Sequence, residues 1–263
     1  PDSRSEEMPR ISVLCGTGMS GLSSILKDIE GRQSEKLELE SPWGVVPIEV
    51  VSGELGQVFV IDRHHSEGLE RTPPHRIEHR ANIHAAVSCN PDAILSVNSV
   101  GSFSDNMPPG TVGLASDVLD LSTKPWTFHD NEAIHSDRTS PFDQDIISVC
   151  TDQLEETQGV APSALVVAQC IGPQFETPAE INALEKLGAH VVGMTLGPEQ
   201  RLVSEYEIPH VSLICSSNWA AGRTPDDPTA EIDHYAVDQM ASKMIESLAA
   251  CVISVLQSIQ NND

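Results

Sequence analysis

Apolar residues fall into short runs along this chain, separated by polar segments rich in turn-forming residues. The runs Ile11–Cys15, Val58–Ile61, Ala93–Val97, Leu165–Cys170, Val191–Met194 and Val211–Cys215 have the length and β-branched content of strands. Between them, Ile77–Cys89, Asp143–Thr157, Pro178–Leu187 and Glu199–Glu207 read as helices, and Lys36–Val60 reads as an extended meander turning at Ser-Pro-Trp-Gly and Ser-Gly-Glu-Leu-Gly. Near the C-terminus, Ile232, Ala236, Met240, Met244, Leu248, Val252, Val255 and Ile259 form a stripe of 3.6-residue period, which predicts one long closing helix. The alternation predicts an α/β fold, a single domain over 10–260 with a central mixed β-sheet flanked by helices. Residues 1–9 and the last few are polar and unpatterned, so both ends are expected to fray.

Each predicted strand stops just before residues that can do chemistry, and in open α/β sheets ligands gather beyond the carboxyl ends of strands. After the first run comes Gly16-Thr17-Gly18-Met19-Ser20-Gly21. It matches the G-x-G-x-x-G fingerprint of dinucleotide sites, with Glu38 or Glu40 as a ribose ligand. Against that reading, the fingerprint needs a βαβ unit, and a short helical piece followed by a meander does not make one. As a phosphate loop, its backbone N–H groups and the Thr17 hydroxyl would face an oxyanion; as a plain turn it would do nothing. Arg63-His64-His65 follows another strand, and a guanidinium can hold two phosphate oxygens at once. Glu176 stands in a proline-stiffened loop ahead of a helix, and Asn218 follows the last strand.

Composition narrows the partners. Asp and Glu total 39 against 15 Lys plus Arg, for a formal charge of −24. Such a field repels nucleic acid and anionic membranes, so neither is an expected partner. It serves solubility or marks adaptation to salt, and it leaves any anionic substrate dependent on local cations. With no leader pattern and no run of about 18 apolar residues, the expectation is a cytoplasmic protein. The six cysteines are scattered, without C-x-x-C or ligand-spaced histidines, and read as buried free thiols with no metal.

Four segments taken in order resemble the trimeric purine nucleoside / methylthioadenosine phosphorylase family. They are Cys-Gly-Thr-Gly-Met at 15–19, Asn-Ser-Val-Gly at 98–101, Cys-Ile-Gly-Pro-Gln-Phe-Glu-Thr-Pro-Ala-Glu-Ile at 170–181 and Val-Gly-Met-Thr at 192–195. The resemblance implies a homotrimer, a phosphate site of Thr17, Arg63, His64, Ser99 and Thr195, and no organic cofactor or metal, phosphate being a co-substrate. It implies base and sugar contacts from Val100, Gly101, Phe175, Met194, Trp219, Ala220 and His234, with Glu176 and Asn218 acting on the purine.

Glu176 and Asn218 bear on substrate class. A 6-oxopurine offers N1–H as donor and O6 and N7 as acceptors, which suits a carboxylate and an amide; a 6-aminopurine reverses the pattern at N1 and C6. Members that prefer methylthioadenosine resemble Gly-Pro-x-Phe-Ser-Ser and carry Asp at the position of Asn218, and this chain has neither. The expectation is phosphorolysis of inosine, guanosine or methylthioinosine, with methylthioadenosine phosphorolysis or a dinucleotide-dependent oxidoreductase as alternatives. Asn218-Trp-Ala-Ala-Gly222 resembles a methylthioinosine-specific subgroup, whereas His234 aligns with a histidine that binds a 5′-hydroxyl, so the 5′ substituent stays open.

Overall fold

The computed structural model describes residues 8–16, 19, 21–66, 68 and 71–262. Among them nine strands form one mixed sheet: β1 (Arg10–Cys15), β2 (Gln33–Ser41), β3 (Gly44–Gly53), β4 (Gly56–Asp62), β5 (Ala93–Ser102), β6 (Val112–Asp120), β7 (Leu165–Gln169), β8 (Val191–Gly193) and β9 (His210–Trp219). The helices are α1 (Leu22–Asp28), α2 (His79–Ser88), α3 (Gln144–Gln158), α4 (Pro178–Lys186), α5 (Leu196–Val203), α6 (His234–Ser242) and α7 (Ile245–Asn262). The sheet order is β2-β3-β4-β1-β5-β8-β7-β6-β9, and β5 also pairs with β9, so the last five strands close on themselves.

Burial explains the sequence of each strand. β1 lies between parallel neighbours β4 and β5 and is apolar almost throughout, as a strand covered on both faces must be. β2 borders only β3, and its Glu35, Lys36, Glu38 and Glu40 discourage further pairing at that edge. On one face α3 and α7 pack against the central strands through Cys150, Leu154, Leu248, Val252 and Val255; on the other, α2 and α5 bury Ala81, Ala85, Leu202 and Val203.

The topology removes the dinucleotide reading. β2 is antiparallel to β3 and separated from β1 by β3 and β4, so no βαβ unit follows the glycine loop, and Glu38 and Glu40 sit on the far edge. The predicted closing helix is two helices meeting at 44°. Met244, Leu248, Val252 and Val255 are buried, but Ala236 is exposed and Ile232 precedes the helix; after the change of direction α6 buries Val237 and Ala241 in place of Ala236. The C-terminal residues expected to fray continue α7 to Asn262. β6 escaped the pattern because Ser116, Asp117 and Asp120 interrupt its apolar run. No single described helix is long and apolar enough to cross a membrane.

Candidate active site

A cavity of about 470 Å³ opens where the ends of β4, β5, β8 and β9 converge with the loop before α4 and the start of α6. Arg63, His64, Ser99, Val100, Gly101, Phe175, Glu176, Met194, Thr195, Asn218, Ala220 and His234 all line it. Thr17 lies outside the described residues. Trp219 is a correction: it does not line the cavity, because strand alternation turns it from the side Asn218 faces, and it contributes its backbone oxygen to the Asn218 amide at 2.8 Å.

The deep end is a buried polar network. Arg63, only 2% exposed, is paired with Glu199, which is fully buried. Its Nε and Nη2 both donate to that carboxylate, Nη1 donates to the carbonyl of Val97 at 2.8 Å, and Nη2 also to that of Leu14 at 3.1 Å. The two-oxygen grip on phosphate expected of Arg63 is therefore not open, since that edge of the guanidinium already holds Glu199. Asn98 ties the network to the cavity: its Nδ2 donates to Thr195 Oγ1 at 2.9 Å and to Glu199 at 3.3 Å, while its Oδ1 accepts from Ser212. The Thr195 hydroxyl accepts from Asn98 and keeps its own hydrogen for another partner.

His64 Nδ1 lies 2.8 Å from the carbonyl of Thr72, which assigns the proton to Nδ1 and leaves Nε2 an acceptor. Burial pushes its pKa down to about 4, that hydrogen bond opposes the shift, and Arg63 and Arg71 add to it. At neutral pH the ring is thus uncharged. Gly16 makes this packing possible, because a Cβ there would stand 2.6 Å from Arg63 Nη1 and 3.3 Å from His64 Nε2.

At the other end, β5 and β9 slip register: Val100 pairs with Ser216 but Gly101 with Asn218, so Ser217 is an extra residue. This bulge turns Ser217 and Asn218 into the cavity wall. Ser217 Oγ lies 3.0 Å from Asn218 Oδ1 and 3.1 Å from the Val100 carbonyl. Because Asn218 Nδ2 donates to Trp219, one of its N–H groups remains for a ligand. Gly101 leaves the room, since a Cβ on it would approach Nδ2 to 3.1 Å. Asn98 to Gly101 and Asn218 were expected beyond strand ends; they lie within β5 and β9, which run longer than their apolar cores.

Glu176 precedes α4, whose start is set by Pro178 and by a reciprocal pair of bonds between Thr177 and Glu180. Burial holds the Glu176 carboxyl above the usual range and Glu180 adds to this, while hydrogen bonds from its own backbone and from the Cys170 thiol pull it back. The preceding loop turns at Gly172, with φ of 66°, where a side chain would collide with Met194.

Sequence reasoning missed Glu199 and Asn98 as side chains of the network, and Ser217, Arg71 and Asp238 as cavity residues. Glu199 had left a signal. It is spaced three residues from both Leu196 and Leu202 on a buried face of α5, where a carboxylate requires a partner. Among the described residues no cluster suited to a metal ion occurs.

The model of the phosphorylase superfamily matches residues 10–254. A Methanopyrus kandleri protein named as a probable S-methyl-5′-thioinosine phosphorylase is 32% identical over 93% of this chain and 92% of its own. The 6-oxopurine nucleoside phosphorylase of Pyrococcus furiosus is 29% identical over 96% and 94%. In fold, the chain is similar to methylthioadenosine phosphorylase from Schistosoma mansoni in complex with adenine, with a TM-score of 0.83 and 18% identity over 97% of this chain and 93% of that one.

Proposed function

Because the chain belongs to the phosphorylase superfamily, we propose that this cavity carries out reversible phosphorolysis of 6-oxopurine nucleosides, yielding free base and ribose 1-phosphate or its 5′-methylthio analogue. The observation that carries the reading is the state of Asn218. With Ser217 at its oxygen and Trp219 holding one N–H, the amide presents a donor to the cavity. A donor matches N7 or O6 of a 6-oxopurine, and Glu176, in the same cavity, can accept its N1–H. The named activities of the two relatives above support the same class.

Phosphate held near Arg63, His64, Ser99 and Thr195 attacks C1′ from the face opposite the base. The C1′–O bond forms as the C1′–N9 bond breaks, and the bonding pair leaves on the purine. Negative charge then grows on the base, where the Asn218 N–H stabilises it more strongly in the transition state than in the ground state. Phosphate is already an anion, so no side chain must deprotonate it. The rest of the rate comes from positioning, and neither a metal nor an organic cofactor has a part in this scheme.

Turnover of inosine, guanosine, methylthioinosine, adenosine and methylthioadenosine, each with and without phosphate, tests the proposal. The first three should be cleaved only with phosphate present. Cleavage by water alone would make the protein a nucleosidase, and a preference for the adenine substrates would overturn the role given to Asn218. We further propose a cytoplasmic homotrimer. Ile171, 62% exposed in the loop before α4, and Phe175, 38% exposed on the cavity wall, support an oligomer as apolar surface beside the site. The six free thiols support a reducing compartment. Light scattering that finds a stable monomer would refute the trimer.

A further inference from the structure

We propose that Arg71 is the mobile cation of this site, which exchanges its partner Asp62 for the incoming phosphate. The inference rests on the phosphorolytic reading and adds a residue to it. It begins with the charges at the deep end of the cavity. The positive charge of Arg63 is matched by Glu199, and four hydrogen bonds to Glu199, Val97 and Leu14 leave the guanidinium one N–H of its five. His64 gives its Nδ1 proton to Thr72 and is uncharged at neutral pH. Ser99 and Thr195 contribute dipoles only. A phosphate anion entering this floor would meet oriented donors but no net positive charge, inside a chain whose overall charge is −24.

Arg71 supplies what is missing. It lines the same cavity beside Arg63, His64 and Thr72. Its partner among the described residues is Asp62, reached through Nη2 at 2.8 Å, and the two side chains are 47% and 45% exposed. A pair so open to water contributes little to stability, so Arg71 can leave it at small cost. The backbone beneath is held in place: Thr72 N–H donates to the carbonyl of His64 at 2.9 Å, the Thr72 hydroxyl to that of His65 at 2.7 Å, and His64 Nδ1 to that of Thr72. Asp62 is held as well, accepting from the His64 backbone N–H at 3.0 Å. The long arginine side chain is therefore the part free to move, between a fixed carboxylate and the anion, and its planar fork suits two phosphate oxygens.

Steady-state kinetics with inosine and varied phosphate tests this. Arg71→Ala should raise the phosphate KM at least tenfold while leaving the inosine KM and kcat at saturating phosphate within about twofold. Arg71→Lys should fall between, keeping the charge without the fork. Asp62→Asn should lower the phosphate KM severalfold, because Arg71 loses its competing partner, and it keeps the test open if an Arg71 variant fails to fold. If the parent protein needs phosphate and its KM is unchanged in Arg71→Ala, or in Asp62→Asn, the exchange is wrong and the phosphorolytic reading stands. If the parent turns over inosine without phosphate, that reading fails and the assignment of Arg71 fails with it.

Discussion

The two ends of the cavity are built in opposite ways. At the deep end, Arg63, Glu199, Asn98 and Thr195 are each under a tenth exposed and hold one another through hydrogen bonds that cross the sheet. At the outer end, Phe175 stands on a loop and is 38% exposed, and the side chain of His234, in the first turn of α6, is 71% exposed. The deep end is pre-organised by the core, so a change there acts on folding and catalysis together. The outer end borrows its geometry from a loop and a helix start, so a change there acts mainly on which substrate fits.

The sharpest way to break the comparison is Arg63→Ala. It leaves Glu199 buried and uncompensated, and stability should fall by about 3–5 kcal/mol, read from denaturant midpoints. Phe175→Ala at the outer end should cost under about 1 kcal/mol by the same measurement, since that ring is already partly in water. Equal losses at the two sites would abolish the distinction.

Acid should also act on the buried histidines. Burial pushes His64 down to about 4 and His210 to about 3, and holds His79 well below its ordinary value. A depressed folded pKa means that the unfolded chain takes the proton first. The stability is therefore complete above about 6.5 and is lost as pH falls from there through the folded values. Melting temperatures should drop steadily from pH 6.5 to 4, and His64→Gln should flatten part of that slope. A profile level over this range would contradict the neutral, buried state of His64.

Two substitutions sharpen the outer end. Asn218→Asp replaces a donor with an acceptor of nearly the same shape, and activity on inosine or methylthioinosine should fall by at least ~10²-fold. Adenosine activity should fall less or rise, and an equal loss on both classes would show that Asn218 does not read the six-position. Ser217→Ala removes the hydroxyl that orients the amide and should cost about tenfold in kcat/KM with little change in melting temperature. The smallest expected effect is that of molar KCl, which should raise the melting temperature by screening repulsion among the carboxylates behind the −24 charge.

Much of this was legible in the chain. The apolar runs located six of the nine strands, and the meander over Lys36–Val60 correctly argued against a dinucleotide site. The family motifs brought Arg63, Ser99, Glu176, Thr195 and Asn218 to one cavity, as the structure does. Those signals are local: strand periodicity, turn residues and short motifs need only a few neighbouring positions.

Tertiary structure alone decided the rest. Glu199 meets Arg63 across 136 positions of sequence, so its place on a buried helix face signals that it needs a partner but not which one. The bulge at Ser217 exists only because β5 and β9 lie side by side, and it determines that Asn218 faces the cavity and Trp219 does not. The same holds for the bend between α6 and α7, which splits one continuous apolar stripe into two helices: Ala241 of α6 and Leu248 of α7 join the same core, while Ala236 is left exposed. Periodicity states that a residue has an apolar or polar side; which groups it meets there depends on how the strands are ordered and closed, and that order is a property of the whole chain.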